Sequence, residues 1–248
     1  MIALRKISRY RAATAHLFIS ATIASGALTA MLVFWFPPPY FKAMGGIELM
    51  ALIVGVDIAL GPLLTLIVFD VRKKSLPFDL LCIAALQLCA LGYGVYAMHL
   101  GRPVFTVFTG QALAVVSAAE IDPDELTKGR LEEFRHLGLT GPKLVATTPP
   151  SDPQELANLV FAEMAGFGIQ KLPRYYVPYA ERKDALRAAM RPLDRPEAAG
   201  GIDAEKLRDY LGRNGKNPAG LRYLPVITHQ GNMIGILDAV SGELLDIL

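Results

Sequence analysis

Residues 47–69 read IELMALIVGVDIALGPLLTLIVF, an apolar run in which Glu48 and Asp57 are the only charged side chains. A helix needs about 20 apolar residues to cross the hydrocarbon core of a bilayer. Two further windows of this kind occupy residues 14–36 and 77–98. The sequence therefore predicts a membrane protein with three transmembrane α-helices in a domain of residues 1–100.

The first window is predicted to be a retained span and not a cleaved signal peptide. Its small residues, Ala24–Ala27, resemble a cleavage region, but the apolar stretch continues to Trp35 and Phe36. A signal peptide has a shorter apolar core that ends at its cleavage site.

Cations outside the spans predict the orientation of the helices. Four lie at Arg5–Arg11, before the first span, and three form the loop Arg72–Lys74 between the second and third spans. Clusters of this kind stay in the cytoplasm. The connector Pro37–Lys42 has one cation, and Trp35, Phe36 and Tyr40 are expected to form an interfacial belt beside it. An odd number of spans then places the N-terminus inside and residues 101–248 on the far side.

Charge and cysteine content exclude several classes of function. Residues 1–100 carry eight Lys/Arg against four Asp/Glu, and the remainder carries 17 against 19, so the net charge of +2 comes from cations beside the spans. No nucleic-acid-binding surface is expected. Cys82 and Cys89 lie seven residues apart in one predicted helix, about 10 Å by rise alone, and cannot form a disulfide. Residues 101–248 contain no cysteine and are expected to fold without disulfides.

Asp57 is the residue in the second span that insertion alone explains least. A carboxyl group in the middle of a bilayer costs about 2.5–3.5 kcal/mol on insertion scales, and its neutral form is favoured there. Counting helical rise places Asp57, Gln87 and Ser25 at about 15–18 Å depth, so one buried polar cluster is expected. Pro62 has no N–H, which predicts a kink or locally open backbone. Two interpretations stay open: packing between helices, or recognition of a polar group on another membrane protein.

Catalytic and metal-binding arrangements are not expected. An intramembrane aspartyl protease needs two carboxyl groups that share a proton, and Asp79, the only second candidate, lies about 13 Å shallower than Asp57. His99, His136 and His229 are far apart and lack partners at metal-ligand spacing. We therefore expect no catalytic residue, no metal and no cofactor.

Residues 101–248 are predicted to form an α+β domain. Strands at Val104–Phe108 and Leu113–Ser117 form a hairpin, and the C-terminus forms an antiparallel meander. The remaining predicted strands are Lys143–Thr147, Arg174–Val177, Tyr223–Thr228, Met233–Asp238 and Glu243–Ile247. Proline and acidic residues after Asp122 and Ser151 indicate helix starts. The predicted helices are Asp122–Gly138, Ser151–Gly166, Ala180–Met190 and Asp203–Leu211.

Several motifs resemble one known family. They are GGIEL at Gly45–Leu49, GVDIALGPLLTL at Gly55–Leu66 and KKSLPFDL at Lys73–Leu80, with shorter matches such as GRPV at Gly101–Val104 and LPV at Leu224–Val226. The sequence resembles the TfpX/TfpZ family of type IV pilin accessory proteins. The resemblance implies a bacterial inner-membrane protein that acts beside its type IV pilin and has no established catalytic activity.

The expectation is therefore a non-catalytic accessory protein or chaperone that binds a type IV pilin and promotes its assembly or surface display. Such a pilin is one long helix in the membrane with an exported head. The predicted pilin-binding residues are Glu48, Asp57, Gly61, Pro62 and Gln87. Two alternatives stay open: a membrane-anchored sensor whose periplasmic domain binds a ligand, and a membrane enzyme.

Overall fold

A computed structural model describes residues 8–193, 207, 209–212 and 218–248 of the chain. The chain divides into two compact units. The first contains residues 1–33 and 46–99, and the second contains residues 34–45 and 100–248. Residues 34–45 contain the predicted connector Pro37–Lys42 and the end of the first predicted span, and they group with the C-terminal residues.

The first unit is helical. Its elements are α1 (Arg9–Ala30) continued by a π-helical turn (Met31–Trp35), α3 (Gly46–Val54), a π-helical stretch (Gly55–Leu60), α4 (Gly61–Val68) and α5 (Leu76–Gly101). The π-helical turn and α5 each end two residues beyond the boundary of the unit. A short helix, α2 (Tyr40–Ala43), lies in the second unit. Ser8 begins α1, since its hydroxyl group accepts a hydrogen bond from the Arg11 N–H.

Two helices of the described residues are long and apolar enough to cross a membrane, Arg9–Trp35 and Leu76–Gly101. They correspond to the predicted spans 14–36 and 77–98. The apolar helix Gly55–Val68 is shorter, but α3, the π-helical stretch and α4 follow one another without a break. The expected departure from regular α-helix near Asp57 and Pro62 is observed as this π-helical stretch.

The second unit is built on one sheet. Its strands are β1 (Pro103–Phe108), β2 (Leu113–Ser117), β3 (Lys143–Thr147), β4 (Tyr176–Pro178), β5 (Arg191–Pro192), β6 (Leu221–Thr228), β7 (Gly231–Asp238) and β8 (Leu244–Ile247). Their order is β4-β3-β1-β2-β6-β7-β8, and β5 pairs with β6. The predicted hairpin β1–β2 and the antiparallel meander β6–β7–β8 are both confirmed.

The sheet is mixed, which the α+β prediction did not anticipate. β1 pairs with β3 in parallel, and β2 pairs with β6 in parallel. These pairs join segments distant in sequence, so no hairpin turn predicts them. β1 and β2 are buried along their whole length, as strands covered on both faces are.

The helices of the second unit are shorter than predicted. The three that correspond to the predicted helices Asp122–Gly138, Ser151–Gly166 and Ala180–Met190 are α6 (Pro123–Thr127), α7 (Pro153–Met164) and α8 (Lys183–Ala189). Asp122 and Asp152 cap α6 and α7 with their carboxylates, as the sequence indicates. The prediction of one helix over Asp122–Gly138 is wrong. The chain leaves α6 before Gly129, where a Cβ would lie 3.1 Å from the backbone of Phe134, and Phe134 then enters the core.

The other predicted elements differ in smaller ways. Residues 174–177 form a 3₁₀ turn (Pro173–Tyr175) followed by β4, and a second 3₁₀ turn (Tyr179–Arg182) precedes α8. Most of the predicted helix 203–211 lies outside the described residues.

Aromatic rings form the centre of the main core. Tyr176 is fully buried, with edge-on contacts to Phe105 at 5.0 Å and to Phe134 at 6.0 Å between ring centroids. Residues 34–45 are also part of this unit. Phe36 is 1% exposed and contacts Phe41 edge-on. Phe36 therefore lies in the protein interior and not in the interfacial belt that the sequence predicts.

Candidate functional site

Helical spacing places five polar or small residues of the first unit toward one another. His16 and Ser20 lie one turn apart on α1, and Asp57, Gly61 and Thr65 lie one turn apart along the π-helical stretch and α4. Residues four apart share a helix face. Asp57, Gly61, Thr65 and Ser20 are all buried.

Gln87 of α5 connects these two faces through its side-chain amide. Its Oε1 lies 2.7 Å from His16 Nε2, and its Nε2 donates to the Asp57 carbonyl oxygen at 3.1 Å and to Ser20 Oγ at 3.5 Å. The second ring nitrogen of the imidazole, His16 Nδ1, lies 2.6 Å from Thr65 Oγ1. One amide therefore joins α1, the π-helical stretch and α5. We call these residues the Gln87 network: His16, Ser20, Asp57, Gly61, Thr65 and Gln87.

The chemistry of the partners fixes the direction of the bonds that Gln87 forms with the Asp57 carbonyl and with His16. A backbone carbonyl only accepts, so the NH₂ of Gln87 faces Asp57 and its Oε1 faces the imidazole. Oε1 also only accepts, so His16 Nε2 carries a proton. The Thr65 hydroxyl group can donate to His16 Nδ1 or accept from it, so the direction of that bond depends on the tautomer of the ring.

Pro62 explains why Gln87 bonds to the backbone of Asp57. In a π-helical register the partner of the Asp57 carbonyl is the N–H of residue 62, which proline lacks. The side chain of Gln87 supplies a donor instead. Gly61 makes room for it, since a Cβ at this position would lie 2.1 Å from Gln87 Nε2. Gly61, Pro62 and Gln87 thus act together.

The carboxyl group of Asp57 has an unmet hydrogen-bonding capacity. Asp57 is 5% exposed, and its Oδ1 is buried without a hydrogen-bond partner in the described structure. Asp57 lines a cavity of about 240 Å³, with walls from α1 and α5. A buried polar atom without a partner is uncommon in native proteins and calls for an explanation.

Four of the five predicted site residues lie at or beside the Gln87 network, and Glu48 does not. Asp57, Gly61 and Gln87 lie together in the network, and Pro62 is half-buried beside them. Glu48 is exposed in the first turn of α3, about 14 Å from Asp57 by helical rise. Glu48 is therefore not part of the Gln87 network, and a pilin contact at Glu48 would lie about 14 Å along the helix from Asp57.

The expected participation of Ser25 is wrong, because Ser25 is exposed and Ser20 takes its place. Depth counting ignores the rotation of each residue about the helix axis, and α1 begins at Arg9, earlier than the window predicted. His16, Ser20 and Thr65 were missed by sequence reasoning. A histidine one turn before a serine within an apolar span was the available signal.

Asp79 is separate from the network. Asp79 lies in the first turn of α5. Its carboxylate forms an ion pair with Lys73 at 2.6 Å and accepts a hydrogen bond from the Ser75 hydroxyl group at 3.3 Å. A carboxylate at this position also stabilises the helix N-terminus. The structure therefore gives Asp79 a local structural role.

Two partly buried tyrosines of the second unit, Tyr40 and Tyr179, form side-chain hydrogen bonds. The Tyr40 hydroxyl group accepts a hydrogen bond from the fully buried Thr106 at 3.0 Å, and burial raises the pKa of Tyr40 although this bond opposes the rise. Tyr179 donates to the Gly242 carbonyl at 2.9 Å, and burial raises its pKa also. The Gly141 N–H donates to the Phe34 carbonyl at 2.9 Å. Residues 34–45 are thus fixed to the sheet unit by hydrogen bonds.

Comparison of the sequence with known proteins identifies the family of this chain. Within the described residues, two apolar helices long enough to cross a membrane are joined to a mixed-sheet unit, an arrangement that is consistent with membrane anchoring. The family model for the fimbrial assembly protein FimB matches residues 4–45. A fimbrial assembly protein of serogroup I from Dichelobacter nodosus is 37% identical over 182 residues, which cover 72% of this chain and 70% of the relative.

Two further relatives come from the same organism. The fimbrial assembly protein of serogroup E1 is 34% identical over 180 residues, with 72% and 70% of the two chains covered. The protein of serogroups C1 and C2 is 42% identical over 115 residues, 45% of this chain and 86% of the relative. No solved structure matches the chain. The chain belongs to the family of fimbrial assembly proteins, and the resemblance to a pilus accessory family is confirmed.

Proposed function

We propose that this protein is a non-catalytic accessory protein of type IV pilus assembly that binds a pilin in the bacterial inner membrane and promotes its assembly or display. Family membership supports the role in pilus assembly, since the relatives are named for fimbrial assembly. Asp79, the candidate second carboxyl group for a protease, pairs with Lys73 in the described structure and not with Asp57, which favours binding over proteolysis.

The proposed topology has three spans, with the N-terminus in the cytoplasm and the sheet unit in the periplasm. Residues 34–45 and 100–248 belong to one compact unit, which supports the proposal that both lie on the same side of the membrane. If α5 crosses the membrane to reach that side, the chain must first return across it between residues 46 and 75. The continuous helical segment from α3 to α4 is the element available for this return. Cations at Arg9, Arg11 and Arg72–Lys74 favour the cytoplasm for the opposite side.

The observation that carries the proposal is the buried Asp57 carboxyl group with an unpartnered oxygen beside an open cavity. Packing alone gives no reason to retain such a group, because the neighbouring polar side chains already satisfy one another through Gln87. A partner helix that offers a hydrogen bond gives Asp57 a function. The exported head of a pilin bound there lies on the same side as the sheet unit.

Substitution of Asp57 tests the proposal. Asp57→Asn keeps the shape of the side chain and its ability to donate and accept hydrogen bonds, whereas the side chain in Asp57→Leu can neither donate nor accept. We expect Asp57→Leu to reduce the number of surface pili while the accessory protein remains at normal abundance in the membrane. Asp57→Asn is expected to retain most pili. Electron microscopy of pili and immunoblots of membranes measure the two quantities together.

The two quantities also separate recognition from packing. If Asp57 only stabilised the helices, Asp57→Leu would lower the abundance of the protein, and any loss of pili would follow that decrease. Normal piliation with leucine at position 57 would refute recognition through this residue.

A further inference from the structure

An open groove lies between α1 and α5. Its walls are two stripes with the same spacing, His16, Ile19, Ser20 and Ile23 on α1 and Ala84, Gln87, Leu88 and Leu91 on α5. Each stripe follows the pattern i, i+3, i+4, i+7, which is one face of a helix. Asp57 lies at the floor of the groove, with Oδ1 unpartnered.

The contacts of α1 explain why the groove is open. α1 packs along α4 and the π-helical stretch, and α5 is joined to α1 through the Gln87 amide. Wall residues Ile19, Ile23 and Leu88 are therefore 60%, 47% and 64% exposed. The two wall stripes are each one face of a helix, and in a helix bundle the space between two such faces is occupied by a further helix.

The chemistry of the floor selects the occupant. A lipid acyl chain fills the apolar walls but offers no hydrogen bond to Asp57. A helix from another membrane protein fills the same walls with its side chains and brings a polar group to the floor. Its apolar face satisfies the walls and one hydroxyl, amide or carboxyl group satisfies Asp57.

We propose that the groove between α1 and α5 is the docking site for the transmembrane helix of the pilin, which places a hydrogen-bonding side chain against Asp57. This inference rests on the proposed function and assigns its binding surface. His16 is a positioning residue, because it holds Gln87 at the edge of the groove through Nε2. Gln87 in turn holds the backbone of Asp57.

Site-specific photocrosslinking in cells that express the pilin tests this assignment. A photoreactive amino acid is placed at Leu88 or Ile19, which line the groove, in the full-length protein. Matched controls are Leu86 and Phe18, which lie outside the groove and are 59% and 68% exposed. Each control lies on the same helix, within two residues of its partner. Crosslinked products in isolated membranes are identified by mass spectrometry.

We expect the major pilin to crosslink to positions 88 and 19 and not to positions 86 and 18. Pilin crosslinks confined to positions 86 and 18 would overturn the groove assignment and leave pilin binding intact. Lipid adducts at positions 88 and 19, with pilin at the controls, would do the same. The absence of pilin from all four positions would refute both the groove and the proposed function.

A second pair of variants compares a blocked groove with an open one. Ala84→Phe projects a ring into the groove, whereas Ala85→Phe adds the same ring at an exposed position outside it. We expect Ala84→Phe to abolish the pilin crosslink from position 19 and Ala85→Phe to leave it unchanged, at equal abundance of both proteins. An undiminished crosslink in Ala84→Phe would overturn the groove assignment.

Discussion

Gly61→Ala is expected to destabilise the helical unit although alanine favours helices. A Cβ at Gly61 would lie 2.1 Å from Gln87 Nε2, 2.6 Å from Cδ and 2.8 Å from Oε1, so the amide must move. Its bonds to His16, Ser20 and the Asp57 carbonyl are then lost. Interhelical hydrogen bonds in membranes average about 0.6 kcal/mol, which gives a loss of about 2 kcal/mol for the three.

Gly55→Ala is the matched control, because a Cβ at Gly55 meets nothing within 4 Å. Replacing a helical glycine by alanine stabilises by about 1 kcal/mol in both variants. We therefore expect Gly61→Ala to be less stable than the parent protein by about 1 kcal/mol, and Gly55→Ala to be equally or more stable. Unfolding by SDS in mixed micelles, followed by circular dichroism, measures both.

A double variant shows whether the loss comes from the contact with Gln87. In a Gln87→Ala background no amide occupies the space beside Gly61, so Gly61→Ala is expected to cost nothing further. The reasoning would be refuted if Gly61→Ala were as stable as Gly55→Ala, or if its cost persisted without Gln87.

Three further predictions concern the sheet unit and the topology. Tyr40→Phe leaves the buried Thr106 hydroxyl group without its partner and is expected to cost about 1–2 kcal/mol of unfolding free energy, which Thr106→Val in the same chain partly restores. Burial raises the pKa of Tyr40, Tyr176 and Tyr179, so the unfolded chain loses its phenol protons first. The stability that these phenols contribute is present below pH 10.0 and is lost as the pH rises above it, which denaturant midpoints between neutral pH and about pH 11 will show or contradict. A reporter active only in the cytoplasm, fused after Leu248, is expected to be silent, and a signal would overturn the three-span topology.

Local patterns predicted much of the fold. Strands Leu113–Ser117 and Lys143–Thr147 match the structure residue for residue, because continuous apolar runs between turn residues leave little freedom. Asp57 and Gln87 were predicted to lie together from helical rise alone, and Gln87 bonds to the Asp57 backbone. These features depend on neighbours in sequence or on distances along a helix, which follow from the number of residues.

Features that depend on distant contacts were not predicted. The parallel pairs β1–β3 and β2–β6 bring together strands separated by long connections. The sequence predicts an interfacial position for Tyr40, because its contact with Thr106 spans 66 positions of the chain and leaves no local signal. The domain predicted from the sequence, residues 101–248, consequently lacks residues 34–45, which belong to the same compact unit.

The site was incomplete for a similar reason. Depth along a helix follows from counting, but rotation about its axis depends on packing, and Ser20 rather than Ser25 faces Gln87. The bond from Gln87 to the Asp57 carbonyl needs a π-helical register, which the sequence signals only through Pro62. Neither contact is visible in composition or periodicity.

Crosslinking of the full-length protein in native membranes, followed by purification and identification of whatever is bound, tests the central claim most directly. The account predicts that the major pilin of the same cell is the main product and that Asp57→Leu reduces its yield at unchanged abundance of the accessory protein. Recovery of the accessory protein without pilin, from cells that produce both, would contradict it.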